Sequence, residues 1–181
     1  EEASVRGIPS NFMKGKFAWN GNCKDRKYVD LMPQDSMKAC RCANCMSRYN
    51  QTNSFDLASG FCSNLIWSNT VAVANAVRAE GLDACVTQMA YGPSRLIPDF
   101  DIPDNVKVVL AVGGPWACSR KAVFDDQVDF IRKWSEKVGE RVAWVWMYPM
   151  KNYDKLQAAR IPQHAPRAYY EYHRRVAPYM D

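Results

Sequence analysis

Three thiols stand within six residues of this chain, in Cys40-Arg41-Cys42-Ala43-Asn44-Cys45. They follow a short apolar run that ends in a carboxylate, Tyr28-Val29-Asp30-Leu31-Met32-Pro33-Gln34-Asp35. A strand, an acid and a cysteine-rich loop in that order match the top of a β/α unit, where functional groups sit just beyond the carboxyl ends of strands. The order says where a site belongs and leaves its chemistry open. Cys42-x-x-Cys45 has chelating spacing, and Cys40 adds a third thiolate. A structural zinc then needs a fourth ligand, from Cys62, Cys23 or a histidine. A disulfide within the loop, or from it to Cys23 or Cys62, is the second option, and free thiols are the third. A thioredoxin-like redox role is not expected, because that motif opens a helix after a strand and here a polar loop surrounds it.

The chain has seven cysteines, at 23, 40, 42, 45, 62, 85 and 118, so a pure disulfide framework leaves one over. Cys85 falls in an apolar run and reads as a small buried hydrophobe. Cysteine usage alone does not fix the redox compartment. With 181 residues, 48% of them hydrophobic, one domain with a substantial core is expected, spanning 1–181. The net charge is +5, but no block of Lys or Arg exceeds two residues, so no nucleic-acid partner is expected. No apolar stretch approaches the roughly 18 residues of a membrane span. The opening Glu1-Glu2 carries no signal-peptide pattern, as expected of a mature or excised segment.

Apolar periodicity predicts alternating elements. A first strand is expected at 27–32, then a polar loop to about 60. A helix follows over 63–80, with Ser63 as N-cap and Gly81 just past its end. Its buried face is read as Leu65, Ile66, Asn69, Val73, Ala74 and Val77. Strands are expected at 83–90, 106–112 and 142–148. The segment 92–104, with Pro93, Pro98 and Pro103, is no regular helix. Helices are expected over 124–138, with Val128, Ile131, Trp134, Ser135 and Val138 on one face, and over 166–179. This alternation argues for an α/β protein with a parallel sheet. Four strands suit a small open sheet and also equal half of an eight-stranded barrel.

Asp35, just past the first strand, is the candidate catalytic carboxylate; its plainer role is to order the cysteine loop. Glycoside hydrolysis uses two carboxyl groups, and the second is not evident. Asp99, Asp101 and Asp104 lie in the proline loop, the first two read as solvated, and Asp154 as a helix N-terminal acid. Tyr91, Trp116 and Tyr148 lie at or just past strand ends, where aromatic rings can stack on sugar faces. Trp144, deeper in the same strand as Trp146 and Tyr148, reads as core. His164 and His173 have no nucleophile near them in sequence and read as surface or satisfied histidines. Gly113-Gly114 lacks the spaced glycines of a dinucleotide loop. Asn50-Gln51-Thr52 matches a glycosylation acceptor, meaningful only in a eukaryotic secreted protein.

Several segments together resemble one family: Leu31-Met32-Pro33-Gln34-Asp35 with Cys40, Cys42 and Cys45, then Met89-Ala90-Tyr91-Gly92-Pro93, Ile102 to Val108, and Trp144 to Tyr148. They are similar in order and spacing to the barrel region of the bacterial family designated domain of unknown function 4838. The resemblance spans about 25–181. The family's glycine-rich stretch after the acid is here Ser36-Met37-Lys38-Ala39. Its members look like glycoside hydrolases of the α-glucuronidase and hexosaminidase type, and they are longer at both ends. The resemblance thus implies part of a TIM-like (β/α)8 barrel, with the remainder of a parent barrel as partner. It implies a carbohydrate ligand derived from polysaccharide, a secreted or periplasmic setting, and Asp35 as one carboxylate. The competing expectation is a non-catalytic glycan-binding or scaffold module.

Overall fold

Parallel pairing begins with the shortest strand. In the computed structural model, which describes residues 28–32, 40–50, 60–139, 142–147 and 166–180, β1 (Tyr28–Asp30) pairs in parallel with β2 (Cys85–Ala90). Tyr28 lies opposite Cys85, Val29 opposite Val86 and Asp30 opposite Thr87. The carboxylate of Asp30 ties the pair from the side: its Oδ1 accepts from Thr87 Oγ1 at 2.8 Å. The Leu31 amide extends the ladder onto the Thr87 carbonyl at 2.9 Å. The chain divides into two units, Glu1–Val108 and Val109–Asp181, with the boundary inside β3 (Val106–Val112).

In the first unit, α1 (Ala43–Met46) and α2 (Ser63–Ala79) separate β1 from β2, and β2 is followed in the sheet by β3. Burial alternates along β2, with Val86, Gln88 and Ala90 inside, as a strand with one inner face requires. α2 buries Ser63, Trp67, Thr70, Val73, Ala74 and Val77. The predicted face was therefore turned: Trp67 and Thr70 take the place given to Leu65, Ile66 and Asn69. Leu65 and Ile66 are only partly buried and pack on a second, smaller cluster. The N-cap is Cys62 rather than Ser63. Ser63 is buried one position further in, where its Oγ accepts from the Leu96 amide at 2.8 Å. Trp67 Nε1 donates to the Ser94 carbonyl at 2.9 Å, and the Cys62 amide to the Pro93 carbonyl at 2.9 Å. These bonds fasten the turn after β2 to the start of α2. Gly60 permits the closeness, since with φ 75° a Cβ there would lie 2.5 Å from Leu96 Cγ. The proline loop holds only a short 3-10 turn, Gly92–Ser94, as its composition implied.

In the second unit, β3 runs on beside β4 (Val142–Met147). A 3-10 segment, Gly114–Ser119, leads into α3 (Lys121–Val138), which starts three residues before the predicted helix. α3 buries Phe124, Gln127, Val128, Ile131, Trp134 and Val138. Gln127 earns its burial through Oε1, which accepts from the Gly114 amide at 3.0 Å. α4 (Pro166–Val176) lays Tyr172 and Val176 against this face, and Phe124 and Tyr172 meet with ring centroids 5.6 Å apart. No helix among the described residues is long and apolar enough to cross a membrane.

The barrel expectation is corrected. The described residues form a small α/β fold with four strands in the sequential order β1-β2-β3-β4, half the number an eight-stranded closure uses. The cause of the misreading is physical: alternating β and α periodicity is common to open parallel sheets and to barrels. Closure depends on strand number, tilt and stagger, none of which leaves a local mark in the sequence.

A three-thiol candidate metal centre

The loop after β1 folds back on itself at Cys42. This residue is extended (φ −70°, ψ 156°) and caps α1, with its Sγ accepting from the Cys45 amide at 3.5 Å. The Met46 amide returns to the Cys42 carbonyl at 3.0 Å, and Ser47 to that of Ala43 at 3.0 Å. One helical turn thereby places residues three apart on the same side, bringing Cys42 and Cys45 together. Cys40, two residues before, completes the group. The sulfurs of Cys40, Cys42 and Cys45 all lie within 4.8 Å of one another, close enough to share one metal ion. The expectation that a polar loop without helix surrounds the Cys-x-x-Cys pair is corrected, because the pair opens a helix of four residues.

A small apolar cluster holds this loop in place. Tyr49, Phe61 and Cys62 are buried together, with Cys45, Met46, Leu65 and Ile66 packed around them. The rings of Tyr49 and Phe61 meet edge to face, 5.2 Å between centroids. The Tyr49 hydroxyl donates to the Cys40 carbonyl at 2.7 Å, so one aromatic side chain pins the first cysteine from beneath. The Asn50 amide donates to the Phe61 carbonyl at 2.7 Å. Asn50 Oδ1 accepts from the Asn64 amide at 2.8 Å. That side chain, read as a glycosylation acceptor, thus serves the first turn of α2. Cys45 faces the cluster and is half-buried, while Cys40 and Cys42 are exposed.

Cys42 and Cys45 hold their protons unequally. The amide of Cys45 first, and the neighbouring thiols second, bring Cys42 down to about 7. Cys45, hydrogen-bonded to Cys42 and then to Cys40, is pushed up to about 11. Cys42 thus becomes a thiolate before Cys45, and its charge is held by donors from the same loop. Burial pushes the Tyr49 hydroxyl up to about 12 and also raises Cys62. These two stay neutral and structural.

Cys40, Cys42, Cys45, Cys62 and Cys85 are all free, so no disulfide joins the loop to Cys62. Cys85 is half-buried in β2 rather than fully inside. Asp35, Tyr148, Asp154, His164 and Cys23 lie outside the described residues. Tyr91 is half-buried at the carboxyl end of β2, where its amide donates to Ser94 Oγ at 3.4 Å. Trp116 lies on the 3-10 segment Gly114–Ser119. Asp99 is exposed and accepts from Asn64 Nδ2 at 3.3 Å, and Asp104 is spent on an ion pair with Arg78. His173 is exposed on α4 beside Tyr169, as a surface histidine. The sequence reading missed Tyr49 as the residue that seats the loop. Its one local signal is its place four residues after Cys45, the helical spacing that lets two side chains share a face.

No protein-family model matches this chain, and no curated protein and no solved structure matches it.

Proposed function

We propose that this chain is a metal-thiolate module in which Cys40, Cys42 and Cys45 hold a single zinc ion that locks the loop following β1. The carrying observation is the convergence of three sulfurs within 4.8 Å on a loop anchored by buried Tyr49 and Cys62. Thiolate is the ligand type most favourable to zinc in protein loops, and the Cys-x-x-Cys turn is the usual way to present two of them. The metal would replace the protons that Cys42 and Cys45 now apportion between them. In doing so it would cross-link residues that only one helical turn and one tyrosine hold in place. The test is anaerobic zinc titration of the reduced chain, with metal content measured after gel filtration. One zinc per chain, lost in Cys42→Ser, supports the reading; no retained zinc in the parent chain overturns it.

A second reading, carbohydrate recognition, draws support from Tyr91 alone among the described residues. Its half-buried position at a strand's carboxyl end suits stacking on a pyranose face. Hydrolysis with Asp35 as one carboxylate belongs to this reading. A panel of uronic-acid and hexosamine glycosides, assayed with the parent chain, Tyr91→Ala and Asp35→Asn, tests it: binding lost in Tyr91→Ala supports recognition, and turnover unchanged in Asp35→Asn removes the acid.

A further inference from the structure

We infer that the Cys40-Cys42-Cys45 site is built to take a soft monovalent cation, cuprous copper, in a three-coordinate all-sulfur shell. This deepens the metal-thiolate reading above and rests on it.

Donor number and donor type carry the argument. The group that converges holds three cysteines and, among the described residues, no carboxylate and no imidazole. A structural zinc is tetrahedral and closed by four protein ligands. The next thiol in the described part of this unit is Cys62, which does not belong to the converging group. It is 3% exposed and packed with Tyr49 and Phe61, so it faces the apolar cluster. The Tyr49 hydroxyl is likewise committed, donating to the Cys40 carbonyl at 2.7 Å. Among the described residues the loop therefore gathers three sulfurs with no fourth cysteine, histidine or carboxylate in the group. Soft sulfurs with no hard oxygen or nitrogen among them suit cuprous copper, zinc and iron–sulfur clusters alike, so the number of donors decides among them. Cuprous copper is satisfied by three ligands, whereas zinc in the same place must complete its shell with a donor from elsewhere. On binding, each of the three thiols releases its proton to solvent and gives a sulfur lone pair to the ion; no electron is transferred.

The exposure of Cys40 and Cys42 adds a second element. An ion held by two sulfurs at the surface and one half-buried sulfur is reachable by an incoming thiol. Ligand exchange at such a site needs no unfolding.

The experiment uses the reduced full chain, kept anaerobic, with cuprous ion supplied from a chromophoric cuprous chelator and zinc supplied as its chloride. Copper and zinc content are measured after gel filtration, and the coordination shell by X-ray absorption at each metal's edge. The expected result is one copper per chain with three sulfur neighbours and nothing else, while the zinc form carries at least one non-sulfur neighbour. Cys40→Ser, Cys42→Ser and Cys45→Ser should each weaken copper binding by more than about 100-fold, beyond the loss typical of changes outside the first ligand sphere. Cys62→Ala should leave the three-sulfur shell intact. A copper shell with two or four sulfurs, more than one copper per chain, or a sulfur lost in Cys62→Ala overturns this inference while leaving the metal-thiolate reading standing. Failure to retain either metal overturns both.

Discussion

The cysteine loop of the first unit and the α3–α4 contact of the second are both dense in ionisable groups, and they use them in opposite ways. In the second unit the charges along α3 and α4 meet partners of the other sign. Asp125 accepts from Lys121 and from Arg175, the latter at 2.9 Å, and Arg175 also lies 4.9 Å over the Phe124 ring. Arg132 pairs with Asp129 and Glu136, and Arg174 with Glu171. Such pairs neutralise one another and add little beyond local stability. In the cysteine loop, three groups of the same kind, all able to become anions, are gathered within 4.8 Å of one another. Like groups repel once ionised, and a bound cation would relieve that repulsion. Mutual cancellation marks structure, and convergence of like donors marks a site.

The comparison breaks first if the packed aromatic face of the second unit is not what holds it together. Trp134 is fully buried on α3. Replacing it with alanine should destabilise the chain by about 3–5 kcal/mol, the range for deleting a buried aromatic side chain. Urea unfolding followed by circular dichroism measures this. Below the unfolding transition, zinc affinity at the thiol loop should stay within about threefold of the parent, since sites that share no partners behave additively. A metal site lost along with Trp134 would mean that the two regions are not independent.

The next effect is at the thiols themselves. Cys42→Ser removes the sulfur whose thiol is held down to about 7 and should lower zinc affinity by more than about 100-fold, equivalent to about 2.7 kcal/mol. Its effect on the stability of the metal-free chain should be small, because the residue is exposed. A competition assay with a chromophoric zinc chelator, set beside urea melts without metal, separates the two readouts. Equal losses in both would make Cys42 a structural residue.

These two cases also show what was legible before the fold was known. The convergence of three thiols is written in the Cys-x-Cys-x-x-Cys spacing, because contacts within six residues are local. The helix α1 was not legible, since four residues are too few to display a period. The buried stripe of α2 was misread for a different reason. Trp67 and Thr70 face the main core while Leu65 and Ile66 face the Tyr49–Phe61–Cys62 cluster, so apolar residues line two sides of the helix. A single 3.6-residue period then points at their average. Tyr49 was missed because its place four residues after Cys45 is a weak signal, and its contacts with the Cys40 carbonyl and the Phe61 ring leave no mark in the sequence pattern. Strand positions were legible because β3 is a nearly continuous apolar run and the others are short, largely apolar segments, but nothing local distinguishes four strands in an open order from part of a closed one.

A smaller effect sharpens the role of the loop's anchor. Tyr49→Phe keeps the ring against Phe61 and removes only the hydroxyl that donates to Cys40. Stability should fall by about 1 kcal/mol, the net worth of one hydrogen bond. Zinc affinity should fall by about 10-fold, as for other changes that only orient a ligand. Because burial holds the Tyr49 hydroxyl up to about 12, its contribution is fully present below the ordinary tyrosine value, about 10, and is lost as pH rises toward the folded value. The parent chain should therefore lose stability between these two values, and Tyr49→Phe should lose less. Identical alkaline profiles would show that the hydroxyl is not under strain from burial.

The smallest effect belongs to the charge pairs of the second unit. Lys121 first, and Arg175 second, hold the Asp125 carboxyl below its ordinary range. A depressed folded pKa favours the folded state once the unfolded carboxyl is ionised. The contribution is therefore present above the unfolded value, about 3.9, and disappears as pH falls through the folded one. Asp125 lies at the surface, so solvent screens both partners and the effect on stability at neutral pH is slight. Its signature is the slope and not the height. Urea midpoints measured from neutral pH down into the acid range should fall less steeply for Asp125→Asn than for the parent, and raising the salt concentration should shrink the difference. The thiol loop makes the contrast, since its three-sulfur group holds no carboxylate among the described residues and the metal-free loop should show no such slope. A salt-insensitive acid slope, or one that survives Asp125→Asn unchanged, would show that the Asp125 pairs contribute nothing to the α3–α4 contact and that its aromatic packing alone sustains it.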